Sequence, residues 1–151
     1  MIVRQAVPGD RPFVLRLTEE LGAFPVPRWR TAAEIASADH EILGRALEVP
    51  RGDQSLLVAE EGGEPWGYIF TSTRDDYFTR ERHAHVEVIA VAGGARRRGV
   101  GQRLMLAAED WARSQGYRRI TLNVFERNTG ACRFYEGLGY EPETVHYLKE
   151  L

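Results

Sequence analysis

Hydrophobic and polar positions along this chain alternate with two periods, two residues and about 3.6, and each change of period marks a new element. Residues 2–7 read as a short strand. Pro8, Gly9 and Asp10 break it. Asp10 is placed to cap a helix with Val14, Leu17 and Leu21 on one face, and Pro12 is tolerated in its first turn. Residues 24–29 hold two prolines and read as a loop. Thr31 then caps a second helix through Ile35, Ile42 and Leu43, ending near Gly44 or Val49. Residues 55–60 and 66–73 read as a β-hairpin around the turn formers Gly62, Gly63 and Pro65.

The second half is more regular. Residues 85–91 form a strand. Val100, Leu104, Ala107 and Trp111 mark the core face of a helix closed by Gly116. Residues 120–125 are the next strand, 129–138 a short helix stopped by Gly139, and 144–148 a last strand after Pro142. The order is strand, two helices, three strands, then helix, strand, helix, strand. It predicts an α/β fold, a mixed sheet with helices packed on it. No repeat or linker interrupts it, so one domain over 1–151 is expected.

Composition narrows the class. Apolar residues at 43% against 28% charged fit a globular chain. A net charge of −2 argues against nucleic-acid binding through the whole surface. There is no apolar run of membrane length and no signal-peptide core at the N-terminus. The single cysteine, Cys132, excludes an intramolecular disulfide, so a reducing cytoplasm is the expected compartment.

The chemistry concentrates at Arg96-Arg97-Arg98-Gly99-Val100-Gly101, between the 85–91 strand and the following helix. A helix N-terminus has orphan N–H donors and the positive end of the macrodipole, which together make an anion site. Gly99 and Gly101 remove Cβ atoms where backbone would approach phosphate oxygens, and the arginines add charge. It is not a Walker loop, because no Gly-Lys-Ser/Thr follows. Nor is it a dinucleotide fingerprint, since Leu104 stands where a third glycine is needed.

Three segments in order carry a resemblance. Val91 followed by Arg96-x-x-Gly99-x-Gly101, then Leu122-Asn123-Val124 with Asn128-x-x-Ala131, then Phe134-Tyr135-Glu136-x-Leu138-Gly139-Tyr140 resemble the GNAT superfamily of N-acetyltransferases. The match is close over about residues 84–141 and holds only in element order before that. Many members carry a proline two residues after the strand's last valine; here Gly93-Gly94 implies a looser entry to the loop. The resemblance implies a mostly antiparallel mixed sheet flanked by helices, with the central strands splayed at an acetyl-CoA site. It implies an acyltransferase moving an acetyl group directly from acetyl-CoA to a primary amine. The implied cofactor-binding residues are Ile89, Ala90, Val91, Arg96, Arg97, Arg98, Gly99, Val100, Gly101, Gln102, Asn128, Ala131 and Tyr135.

Asn128, Ala131 and Tyr135 are spaced to share a helical face, which in the family meets the pantetheine arm. The resemblance makes Tyr135 the acid that protonates the departing thiolate. The other reading is a core tyrosine with a satisfied hydroxyl. Period-two alternation puts His85, Glu87, Ile89 and Val91 on one face, and an acid within an apolar strand needs a reason. An alkyl ammonium of pKa about 10.4 is neutral in roughly one molecule in 2,500 at pH 7, a cost of about 4–5 kcal/mol, so a base is needed. Glu87 is the first candidate and His85 the second. Alternatively Glu87 binds the substrate ammonium or pairs with an arginine.

Phe24, Trp29, Tyr77 and Phe78 lie in loops where the family builds its acceptor pocket; Phe24, Trp29 and Tyr77, with His85, are the candidate substrate contacts, the other reading being aromatics that cover the core edge. His83 and His85 lack further ligands nearby, so no metal is expected. Cys132 reads as a packing residue. The expected partner is a small-molecule or peptide amine or a lysine, with no nucleic acid and no membrane; a homodimer stays open. Two rivals remain: a catalytically idle acyl-CoA sensor of the same fold, and a basic-turn polyanion-binding module.

Overall fold

The computed structural model describes residues 1–21 and 23–151. Strands β1 (Ile2–Gln5), β2 (Gln54–Glu61), β3 (Glu64–Asp75), β4 (Arg82–Val91) and β5 (Ile120–Leu122) form one sheet in sequence order. Every pairing is antiparallel except β4 with β5. The β2–β3 turn needs left-handed backbone at Gly62 and Gly63 (φ 61° and 83°), which explains its glycines.

Two helices cover each face. α1 (Arg11–Thr18) and α2 (Ala32–Glu48) bury Val14, Leu17 and Leu43 against Tyr68, Phe70, Val88 and Ala90. α3 (Val100–Ser114) buries Val100, Leu104, Met105 and Ala108 on the other face, where α4 (Thr129–Gly137) adds Phe134 and Tyr135. Thr31 caps α2 as expected: its hydroxyl accepts from the Glu34 N–H (3.1 Å) while the Glu34 carboxylate accepts from the Thr31 N–H. Asp10 does not cap α1. It closes a 3-10 turn instead, accepting from the Val7 N–H (2.8 Å) and pairing with Arg4 (2.8 Å). An acid beside a guanidinium gains more there than from one helix N–H.

Two expected strands change. β5 stops at Leu122 instead of 125, and residues 144–148 form no strand. The two changes share a cause. With three rungs in β5 there is little edge for a tail to pair with, and residues 141–151 stay exposed. Glu150 meets Arg28 instead (3.2 Å).

The register of β3 on β4 carries the most consequence for the site. Phe70 faces Val88 but Thr71 faces Val86, so Glu87 is an extra residue with no partner on β3. The bulge breaks the expected alternation. Ile89 and Val91 pack towards α3 with Val86, whereas Glu87 turns to the α1/α2 side, beside Ser72 and Arg74.

Gly67 on β3 sets how closely α3 lies on the sheet. A Cβ there would sit 2.7 Å from the Ala90 carbonyl oxygen and 3.2 Å from both Leu104 Cδ1 and Val100 Cγ1. Backbone oxygen cannot yield as a side chain does, so Gly67→Ala is expected to destabilise by about 1–3 kcal/mol. A guanidinium titration should show the midpoint falling at unchanged slope.

Candidate active site

The β4–β5 pairing is short, and that opens the site. It runs from Ala84/Ile120 to Val86/Leu122 and stops at the Glu87 bulge. Beyond it β4 continues alone on that side to Val91, so the edge from Glu87 to Val91 faces a gap across which α4 packs. The expected splay of central strands is therefore present.

The Arg96–Gly101 turn lies at the end of that edge. Gly99 is the N-cap of α3 with left-handed backbone (φ 76°) and gives no side-chain cap. The first helical bond runs from the Arg103 N–H to the Gly99 carbonyl (3.1 Å), so the N–H groups of Val100, Gly101 and Gln102 have no partner within the helix. Arg97 also has positive φ, 64°, an uncommon state for a branched-chain-free but bulky residue and one that concentrates at functional turns. The three arginines are not equivalent. Arg98 stacks over Trp66 (4.0 Å) and reaches Glu61 (3.6 Å), whereas Arg96 and Arg97 are exposed and make no ion pair among the described residues.

The two glycines also differ from the sequence expectation, which gave them one reason. Gly99 is required by its φ, with nothing near the missing Cβ. Gly101 makes room for α4: a Cβ would lie 3.2 Å from Phe134 Cζ and 3.8 Å from Val91 Cγ2. That contact holds the α4 side of the gap close to the α3 N-terminus.

On α4, Asn128 is the N-cap and its side chain accepts from the Ala131 N–H (3.3 Å). Tyr135 is half-buried in the cluster that includes Ile89 and Val91, with its ring 5.3 Å from Phe134 and 6.2 Å from Tyr140. Its hydroxyl has no hydrogen-bond partner among the described residues. Burial, helped by nearby Cys132, pushes the phenol up to about 12, so it is protonated at pH 7. Gly139, at φ 90°, ends the helix and lets the Tyr140 N–H return to the Tyr135 carbonyl (3.0 Å). Cys132 is half-buried with its thiol directed at the Phe125 carbonyl (3.8 Å).

The opposite wall of the gap belongs to the α1/α2 side. Glu87 pairs with an arginine, one of the alternatives open for it. Arg74 binds it through two nitrogens (2.7 and 3.1 Å), and the Ser72 hydroxyl donates to the same carboxylate. His85 is buried, with Nδ1 2.7 Å from Thr121 Oγ1; burial and the Arg74 charge hold it neutral at pH 7. The Tyr68 hydroxyl meets Thr18 Oγ1 (2.7 Å). Thr18 itself donates to the Val14 carbonyl, so Tyr68 is the donor of that pair.

Of the loop aromatics, Phe24 reaches the site region, stacking at 5.3 Å on Phe125 just after β5. Trp29 lies in the same loop under Arg28 (5.4 Å). Tyr77 sits in the β3–β4 hairpin loop against Phe78 (5.3 Å), 77% exposed, and is not brought to this cluster. No group of three or more potential metal ligands occurs among the described residues. No described helix is long and apolar enough to cross a membrane. Sequence reading missed Arg74 and Ser72, both legible as polar positions in the β3 alternation with Phe70.

Comparison with known proteins agrees with this geometry. The acetyltransferase (GNAT) family profile matches residues 15–140. YhfO of Bacillus subtilis, an uncharacterized N-acetyltransferase, is 30% identical over 149 residues, covering 97% of this chain and 95% of its own. Two aminoglycoside 6'-N-acetyltransferases share the fold. AAC(6')-IG from Acinetobacter haemolyticus superposes with a TM-score of 0.71 at 19% identity, over 100% of this chain and 99% of that one. AAC(6')-Iy, solved with a bisubstrate analogue built on CoA, gives 0.72 at 23% identity, over 99% and 98%. The chain belongs to the acetyltransferase (GNAT) family and is an acyltransferase.

Proposed function

We propose that the protein transfers an acetyl group from acetyl-CoA to a primary amine without a covalent enzyme intermediate. The observation that carries this is the open edge of β4 between two prepared ends. At one end are the free N–H groups of Val100, Gly101 and Gln102 with unpaired Arg96 and Arg97. At the other is the polar cluster around Glu87. The diphosphate of CoA fits the first end: backbone donors, a helix dipole and two free guanidinium groups suit a dianion. Bound there, acetyl-CoA supplies an electrophilic thioester carbonyl.

Each residue then has a task. The edge Ile89–Val91 lines the pantetheine slot and can offer an N–H to the oxygen that becomes negative during attack. Asn128 and Ala131 face the slot from α4. Tyr135, a neutral phenol with an unengaged hydroxyl, protonates the departing sulfur. Glu87 is the anchored carboxylate of the acceptor side, its oxygens held by Arg74 and Ser72. Phe24 and Trp29 form the aromatic margin of the acceptor pocket. The single cysteine fits a cytoplasmic setting.

An amine panel assayed for acetyl-CoA-dependent thiol release tests the reading, with calorimetry of CoA binding alongside. CoA binding with amine-dependent thiol release is the expected result. CoA binding with no turnover of any amine would leave an acyl-CoA sensor. Salt-sensitive polyanion binding that CoA does not displace would leave a basic-turn module.

A further inference from the structure

With Glu87 tied to Arg74 and Ser72, and His85 neutral and bound to Thr121, neither expected base is free to take a proton from an ammonium group. One half-buried acid of α2 has no partner among the described residues. Asp39 lies on α2, three and four residues before Ile42 and Leu43, which pack into the α1/α2 core. Its side chain therefore points inward with theirs. It is half-buried and makes no hydrogen bond or ion pair among the described residues. Its charged and titratable neighbours are few. Glu87 approaches from β4 and Tyr68 from β3. Arg74 on β3 is occupied by Glu87 and His85 on β4 is neutral; on α1 Thr18 is uncharged and Arg11 is engaged by the Gly44 carbonyl and Glu48 of α2.

We propose that Asp39 holds the ammonium group of the acceptor and accepts its proton. This rests on the acetyltransfer reading above. Glu87 and Arg74 cancel, so Asp39 leaves the pocket one unbalanced negative charge, which suits an acceptor presenting a single ammonium there. Asp39 takes one proton from R–NH3+. The freed nitrogen lone pair forms the C–N bond at the thioester carbonyl. The C–S bond then breaks with its electrons on sulfur, Tyr135 gives that sulfur a proton, and the second nitrogen proton restores Tyr135. Asp39 passes its proton to water, leaving amide, CoA thiol and one released proton.

The surroundings of Asp39 suit the task. Burial first, then the Glu87 charge, raise its carboxyl from 3.8 to about 6. That is far closer to working pH than an ordinary aspartate, yet still ionised at pH 7. The sign for stability is opposite to that of a structural ion pair. A carboxyl raised on folding favours the protonated native state, so its charge subtracts stability as pH rises above the unfolded value. Asp39→Asn should therefore keep or raise the melting temperature.

The test measures kcat/KM for an accepted amine between pH 5 and 9 in wild type, Asp39→Asn and Glu87→Gln, with acetyl-CoA affinity and Tm for each. Asp39→Asn is expected to lose about 100-fold or more at pH 7. It should also lose the acidic limb near pH 6 and keep its CoA affinity and Tm. Glu87→Gln should keep an acidic limb but move it to lower pH, because the Glu87 charge that helps raise Asp39 is gone. Wild-type kcat/KM in Asp39→Asn, or an acidic limb that vanishes only in Glu87→Gln, overturns the assignment and leaves acetyltransfer standing. Loss of CoA binding or Tm in Asp39→Asn overturns it as well, since the residue is then structural. A wild type that acetylates no amine removes the acetyltransfer reading and this assignment with it.

Discussion

Gly99→Asp is expected to weaken acetyl-CoA binding by about 100-fold or more, measured by calorimetry at fixed low salt. The residue is the N-cap of α3 and lies among the N–H groups of Val100, Gly101 and Gln102. Two like charges about 4 Å apart at an effective dielectric of 20 repel by about 4 kcal/mol, and screening lowers that towards the 100-fold level. Backbone strain at φ 76° is common to aspartate and asparagine, which tolerate the left-handed region better than other side chains but less well than glycine, so it does not distinguish the two. Space does not either, since a Cβ at Gly99 meets nothing within 4 Å. Gly99→Asn therefore separates charge from shape: it should lose far less affinity, and added salt should restore part of the loss only in the aspartate variant. Equal affinity in wild type and Gly99→Asp would show that the diphosphate binds elsewhere.

This turn also shows how far the sequence could be read. The glycine spacing and the strand before it were enough to find an anion site, because helix N-terminal donors follow from chain order alone. The division of labour was hidden. That Gly101 yields to Phe134 and that Arg98 belongs to Trp66 and Glu61 are contacts between elements far apart in sequence. The hairpin, α3 and α4 were legible because their periods are clean and their ends carry turn glycines. The last strand was misread because Val145, Tyr147 and Leu148 have strand chemistry, while the edge they would need ends at Leu122.

The proposed base was harder to read for a related reason. One-residue bulges leave no periodic mark, so Glu87 looked aligned with Ile89 and Val91 when it points to the other face. Its partner Arg74 sits thirteen residues away on the neighbouring strand. Asp39 was visible as a polar residue in the stripe of Ile35, Ile42 and Leu43, but its significance depends on Glu87 being occupied, and only the fold shows that. The acceptor side is thus less legible than the cofactor side: it is assembled from α1, α2, β3 and β4, and the first three carry no local motif.

Tyr135→Phe is expected to lower turnover about 100-fold while leaving acetyl-CoA affinity within about twofold. The ring keeps its packing against Phe134 and Tyr140, so the pantetheine wall is retained. The hydroxyl that is removed bonds to nothing described, so its loss should not lower the melting temperature; a buried hydroxyl without a partner is itself a cost. A purely structural tyrosine would show the reverse, a lower Tm with unchanged kcat. The deficit should also depend on pH in a defined direction. A thiol of pKa about 8.5 leaves as a stable thiolate in alkaline solution, so the need for a proton donor declines as pH rises through that value. Tyr135 itself, raised to about 12, remains protonated throughout this range and does not contribute a limb of its own. The ratio of wild-type to variant turnover should therefore narrow between pH 7 and 9.5. A ratio constant with pH, or unchanged turnover at pH 7, means that sulfur departs without help from Tyr135.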